Sequence, residues 1–206
     1  MGGLIGVALI AAIGFGATGF NQAPDKFGVV DLNKVIQQSD LGKANTASLN
    51  AALSARRGLM EFVNTYQVLT TEQAQRLREL TIKATITDAE KAEMEKIKND
   101  VKASDAKFKE LNQKAQLTDA DRQLLQDFNG RAQTMGKVLE RWNQEFTDEV
   151  SQLQQQLQTA TVDKARAAVT QVAKGQGFTL VFESAVAIYG ANDLTDAAVK
   201  AMNANK

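Results

Sequence analysis

Apolar residues recur at alternating steps of three and four through two long stretches of this chain. One stripe holds Met94, Ile97, Val101, Ser104, Phe108, Leu111 and Ala115. The other holds Leu125, Phe128, Ala132, Met135, Leu139, Trp142 and Phe146, shifts by one at Val150, and resumes at Leu153 and Leu157. Such spacing keeps one side of a helix against a partner helix, as in an antiparallel coiled coil. Three helix starts punctuate the region. Leu69-Thr-Thr-Glu-Gln, Ile86-Thr-Asp-Ala-Glu and Leu117-Thr-Asp-Ala-Asp each set an apolar residue before a threonine, with Gln73, Glu90 or Asp121 three places after it. This is the spacing of a capping box, strictly for Gln73 and Glu90 and loosely for Asp121, in which the hydroxyl and the acid or amide satisfy each other's backbone N–H. The pattern predicts helices over 34–67, 71–84, 88–115 and 119–174.

Period-two, β-branched and aromatic segments sit at either end of this helical run. Phe27-Gly-Val-Val-Asp31 and Phe178-Thr-Leu-Val-Phe-Glu183 read as strands, with Val186-Ala-Ile-Tyr189 as a third. A closing helix from about Asp193 would carry Leu194, Ala198, Val199 and Met202 on one face, able to cover a small sheet. The fold class expected is therefore mainly α with a small β body, from which a long antiparallel helical hairpin, a tentacle, projects. Residues 25–40 and 175–206 would form the body and 41–174 the arm. Three short strands are too few for a stable sheet in water. Phe27, Val29, Leu180, Phe182 and Ile188 would face solvent or lie along open edges. Joining three copies through this body removes both problems, so these five are the expected oligomerisation residues.

Residues 1–24 stand apart. Leu4 to Phe20 carries no charge, long enough for a secretory core or a short membrane anchor. Ala17 and Gly19 are small residues suited to cleavage before Phe20, although Met-Gly-Gly supplies no positive charge ahead of the apolar run. Export is the expectation, with cleavage or anchoring both open. The same segment spells Gly14-Phe-Gly-Ala-Thr-Gly19, but Pro24 follows where a phosphate-binding helix would have to run, so no dinucleotide site is expected.

Composition removes much chemistry. The chain has no histidine and no cysteine, so Cys/His zinc sites, thiol nucleophiles, disulfides and histidine bases are all absent. Acids and lysines fall at helical spacing on what should be solvated faces, as in Glu90, Glu93 and Lys96. No catalytic, cofactor or metal residues are expected, and the chain is not read as an enzyme. Charge balances at 24 against 24, which gives no pointer to nucleic acid. Trp142 and Phe146 are expected in the helical seam, not in a ligand box.

Phe27-Gly-Val-Val-Asp-Leu-Asn-Lys-Val35 with Ser39-Asp-Leu-Gly-Lys43, Val172-Ala-Lys-Gly-Gln-Gly-Phe-Thr-Leu-Val-Phe182, and Asp193-Leu-Thr-Asp-Ala-Ala-Val-Lys-Ala-Met-Asn203 resemble the Skp/OmpH-like periplasmic chaperone family, in this order around a long helical arm. The resemblance implies a trimeric, jellyfish-like assembly with helical tentacles around a cavity. It also implies ATP-independent holding of unfolded outer-membrane β-barrel proteins in the periplasm; whether the chain is free there or anchored to the inner membrane turns on residues 1–20. A structural coiled-coil spacer or envelope adaptor is the alternative. Family arms tend to be basic, whereas residues 41–115 here hold 13 basic against 10 acidic groups and 116–175 hold 7 against 8. Lipopolysaccharide binding is therefore not carried over. Client contact is expected to rest on apolar residues such as Leu59, Met60 and Phe62, wherever the seam does not consume them.

Overall fold

The computed structural model describes residues 10–11, 25–187 and 192–204. The expected strand residues Ile188 and Tyr189, and nearly all of the expected export segment, lie outside them. The chain divides into two compact units, Met1–Ser48 with Gln154–Lys206, and Leu49–Leu153. The expected division fell at residues 40 and 175 instead. The difference arises because Ala165, Ala168 and Val169 pack with Val30, Val35, Ala198 and Met202 in one apolar cluster. A long stretch of the last arm helix thus belongs to the sheet-bearing unit.

The first unit opens with β1 (Ile10–Ala11) and β2 (Phe27–Val30), followed by α1 (Leu32–Gln38) and the start of α2 (Asp40–Thr65). It closes with the end of α5 (Asp119–Gly175), β3 (Leu180–Glu183) and α6 (Thr195–Ala204). β3 is central. It pairs in parallel with β2 from Phe27 opposite Leu180 to Val30 opposite Glu183, and antiparallel with β1. The outer edge of β2 is partly covered, since Val29 N–H donates to the Asn192 carbonyl and Leu194 N–H donates to that of Val29. Ser184–Val186 form a turn, so no strand begins at Val186.

The first predicted helix is broken in two at Ser39, whose backbone is extended. Its buried hydroxyl donates to the Ile36 carbonyl and accepts from Gly42 N–H at 3.0 Å. Gly42 is required by this close approach, because a Cβ there would lie 1.8 Å from the Ile36 carbonyl oxygen. At the other end of the unit α5 stops in a Schellman arrangement. Gly177, at φ 70°, donates to the Lys174 carbonyl, and Phe178 donates to that of Ala173. Lys26 fastens the loop, its ammonium 4.1 Å above the Phe178 ring and donating to the Gln176 carbonyl.

The second unit holds the rest of α2, then α3 (Thr71–Ile82), α4 (Asp88–Gln113) and the first part of α5. All three threonine caps form as reciprocal pairs, Thr70 with Gln73, Thr87 with Glu90 and Thr118 with Asp121. The two seams do not meet each other alone. Val101, Leu111, Phe128, Met135, Trp142 and Phe146 share one core with Leu59 and Val63 of α2 and with Ala74 and Leu77 of α3. Trp142 is 1% exposed, as the seam reading expected. Arg78 of α3 ties the layers together. It pairs with Glu145 and Glu149 of α5 at 2.7 Å each, and its guanidinium lies 5.8 Å from the Trp142 ring centre and 5.2 Å from that of Phe146. Arg56 of α2 joins the same Glu149 at 2.9 Å.

Candidate functional site

Four helices arranged around one core leave grooves wherever a facing position is small. In the second unit a trough of about 630 Å³ lies between α2, α3 and α4. Gly58 provides the gap, since a Cβ built there meets nothing within 4 Å. Leu59, Phe62, Leu77 and Leu80 give an apolar floor, and Ile86 and Met94 extend it to the α3–α4 loop. Phe62 is steadied by Tyr66, with ring centres 4.9 Å apart.

The rim is charged, and unevenly so. Lys83, Lys98 and Lys102 line the trough against a single acid, Glu95. Lys83 pairs with Glu90 at 2.5 Å and Lys98 with Glu95 at 2.8 Å, while Lys102 forms no ion pair among the described residues. Glu90 is held down to about 2 by the Lys83 ammonium and then by the Thr87 backbone N–H. The Lys98 ammonium likewise lowers Glu95. Both acids stay ionised at any physiological pH, so the rim keeps a fixed charge pattern.

A shallower groove of about 400 Å³ runs along α2 and α5 in the same unit, lined by Leu53, Met60, Phe146 and Val150 with Arg56 and Arg57 beside them. Leu53 is 41% exposed there. The first unit carries a different apolar feature. Phe27 is 51% and Val186 52% exposed, and the Phe27 ring lies 6.3 Å from that of Phe182 across the β2–β3 pair.

The expected contact residues therefore separate. Leu59 is buried and shows only one side to the large trough, Phe62 lines that trough, and Met60 lines the shallower groove. Of the expected oligomerisation residues, Phe27 is exposed, Val29, Leu180 and Phe182 are half-buried, and Ile188 is outside the described residues. Sequence reasoning overlooked the lysine rim because it counted charge in totals. Met94, Lys98 and Lys102 stand at steps of four, so one helical face leads from the seam at Met94 to two lysines beside it.

The buried acid Asp105 is paired with Lys109 at 2.7 Å. Burial pushes Glu183 up, and its carboxylate accepts from Leu32 N–H at the start of α1. Among the described residues no group of three acids could hold a metal ion, and no helix is long and apolar enough to cross a membrane. A family model described as outer membrane protein (OmpH-like) matches residues 26–202. No curated protein and no solved structure gives a significant match.

Proposed function

The chain belongs to the OmpH-like family of outer membrane proteins, and on that premise we infer that it is an ATP-independent holdase for unfolded outer-membrane β-barrel proteins in the periplasm. The observation that carries this reading is the family match, which runs from the start of β2 to the last turn of α6. Open apolar troughs on a helical unit support it, because a holdase must offer surface that an unfolded chain can cover while its own core stays closed. A purely structural spacer would need only its seams closed. Assembly as a homotrimer through the sheet-bearing unit, with α2 and α5 as the two legs of a helical hairpin, belongs to the same reading. The exposed pair Phe27 and Val186 supports it, since large apolar side chains at the sheet are costly to leave in water.

The test is aggregation of a urea-unfolded β-barrel membrane protein on dilution, followed by light scattering without nucleotide. Scattering should fall in proportion to added protein and reach baseline near one assembly per client. If scattering is unchanged at a several-fold molar excess, the holdase reading is wrong and the spacer reading takes its place.

A further inference from the structure

We propose that the trough between α2, α3 and α4 is a docking site for an apolar polypeptide segment carrying carboxylates, so that clients are captured at the second unit by acidic-apolar stretches. The inference rests on the holdase reading and gives it a place and a sequence preference.

Three observations combine. The trough's size, about 630 Å³, falls within the roughly 300–1,000 Å³ of sites that enclose small ligands. It therefore takes a few side chains at a time, not a folded surface. Its floor is apolar without being sealed, because Gly58 leaves open space where any other residue would place a Cβ. Its rim is positive although the unit is not. Residues 49–153 hold sixteen basic against seventeen acidic groups, yet three lysines and one acid line the trough. Lys102 forms no salt bridge among the described residues; its charge acts on Glu95, which the Lys98 ammonium already holds at 2.8 Å, so the Lys102 ammonium can still take a carboxylate. Lys83 and Lys98 are held by Glu90 and Glu95, so the excess charge of the rim is that of Lys102, which an apolar segment without charge would leave unmet. A segment with lysines would be repelled by it.

A polypeptide is favoured over a fatty acid or anionic lipid because the positive groups stand along the rim on α4 and at the α3–α4 loop, instead of at one end of the trough. A lipid presents one headgroup. A chain presents carboxylates at intervals, as the rim requires.

The experiment uses the full chain and two labelled synthetic peptides of twelve residues with the same alternating apolar residues. One carries two glutamates and the other two lysines at the same polar positions. Anisotropy should show the glutamate peptide binding at least fivefold tighter. Lys102→Glu should abolish that preference, and Gly58→Phe, which fills the trough from α2, should weaken the glutamate peptide tenfold or more. Circular dichroism checks that each variant keeps its helix content; where Gly58→Phe does not fold, Lys102→Glu decides alone. Equal binding of the two peptides, or a preference that survives Lys102→Glu, overturns the proposal. So does displacement of nothing by peptide but binding of dodecanoate that Gly58→Phe removes, which would make the trough a lipid site. The proposed function is judged separately. If the chain suppresses client aggregation and both variants do so equally well, the trough is wrong and the holdase stands. If the peptides bind as expected while aggregation is unaffected, the holdase reading fails and the site remains.

Discussion

Glycines occupy opposite situations in this chain. Gly42 stands where its neighbour's carbonyl leaves no room, a Cβ being only 1.8 Å from it. Gly130 and Gly136 lie within α5 with nothing within 4 Å of a would-be Cβ. A glycine inside a helix costs about 0.5–1 kcal/mol relative to alanine, through the freedom it loses on folding. Gly130→Ala and Gly136→Ala should therefore each stabilise the second unit by about that amount, read as a rise in urea midpoint at unchanged slope. Gly42→Ala should lower the stability of the first unit, because the clash is with backbone and no rotamer relieves it. A destabilising Gly130→Ala would mean that this face of α5 is covered by something the monomer does not contain.

The threonine caps show what an element's sequence does and does not disclose. Lys83-Ala-Thr-Ile-Thr-Asp-Ala-Glu90 and Lys114-Ala-Gln-Leu-Thr-Asp-Ala-Asp121 are the same device used twice. Each lysine at a helix end pairs with the acid three residues into the next helix, Lys83 with Glu90 and Lys114 with Asp121. Both acids are held well below the usual carboxylate range, first by the lysine and then by the threonine backbone. Their folded-state affinity for protons is depressed; for Glu90 the contribution is complete above the unfolded value near 4.5 and is lost as pH falls toward about 2, and for Asp121 it is lost at lower pH still. Glu90→Gln keeps the capping box, as Gln73 does for α3, and removes only the charge. The variant should melt below the wild type at pH 6, and the gap should narrow steadily from pH 4.5 to pH 2. A gap independent of pH would show that the lysine pair contributes nothing. Helix ends were legible because threonine, acid and spacing are local. The break at Ser39 was not, since it depends on a buried hydroxyl and on Gly42 three residues later. Partner choice was hidden too. Steps of three and four specify a stripe on α4 and α5, but not that α3 would lay Ala74 and Leu77 against the same core. The lysine rim of the trough was spelled in the chain, yet only the approach of α2 and α3 makes it a rim.

At the scale of the whole molecule two apolar clusters with no residue in common hold two units. Truncating the 1%-exposed Trp142 to alanine should cost the second unit about 3–5 kcal/mol. Calorimetry should then show one transition moved down and the other in place; if both move together, the units unfold as one. Assembly depends on the other unit. Phe182 is half-buried, with its ring 6.3 Å from that of the exposed Phe27, and a trimer joined at this sheet would close over both. Phe182→Asp would then place a carboxylate in apolar surface at a cost of several kcal/mol per chain, about the strength of a modest interface. On the trimer reading, sedimentation should show trimer for the wild type and monomer for the variant, while far-ultraviolet dichroism stays close to wild type because most helix lies in cores the substitution does not touch. The same variant separates assembly from capture. Monomeric Phe182→Asp should still bind the glutamate peptide in the trough but should lose most suppression of client aggregation, since enclosure needs several arms. A Phe182→Asp protein that remains fully trimeric would exclude this face as the seat of assembly.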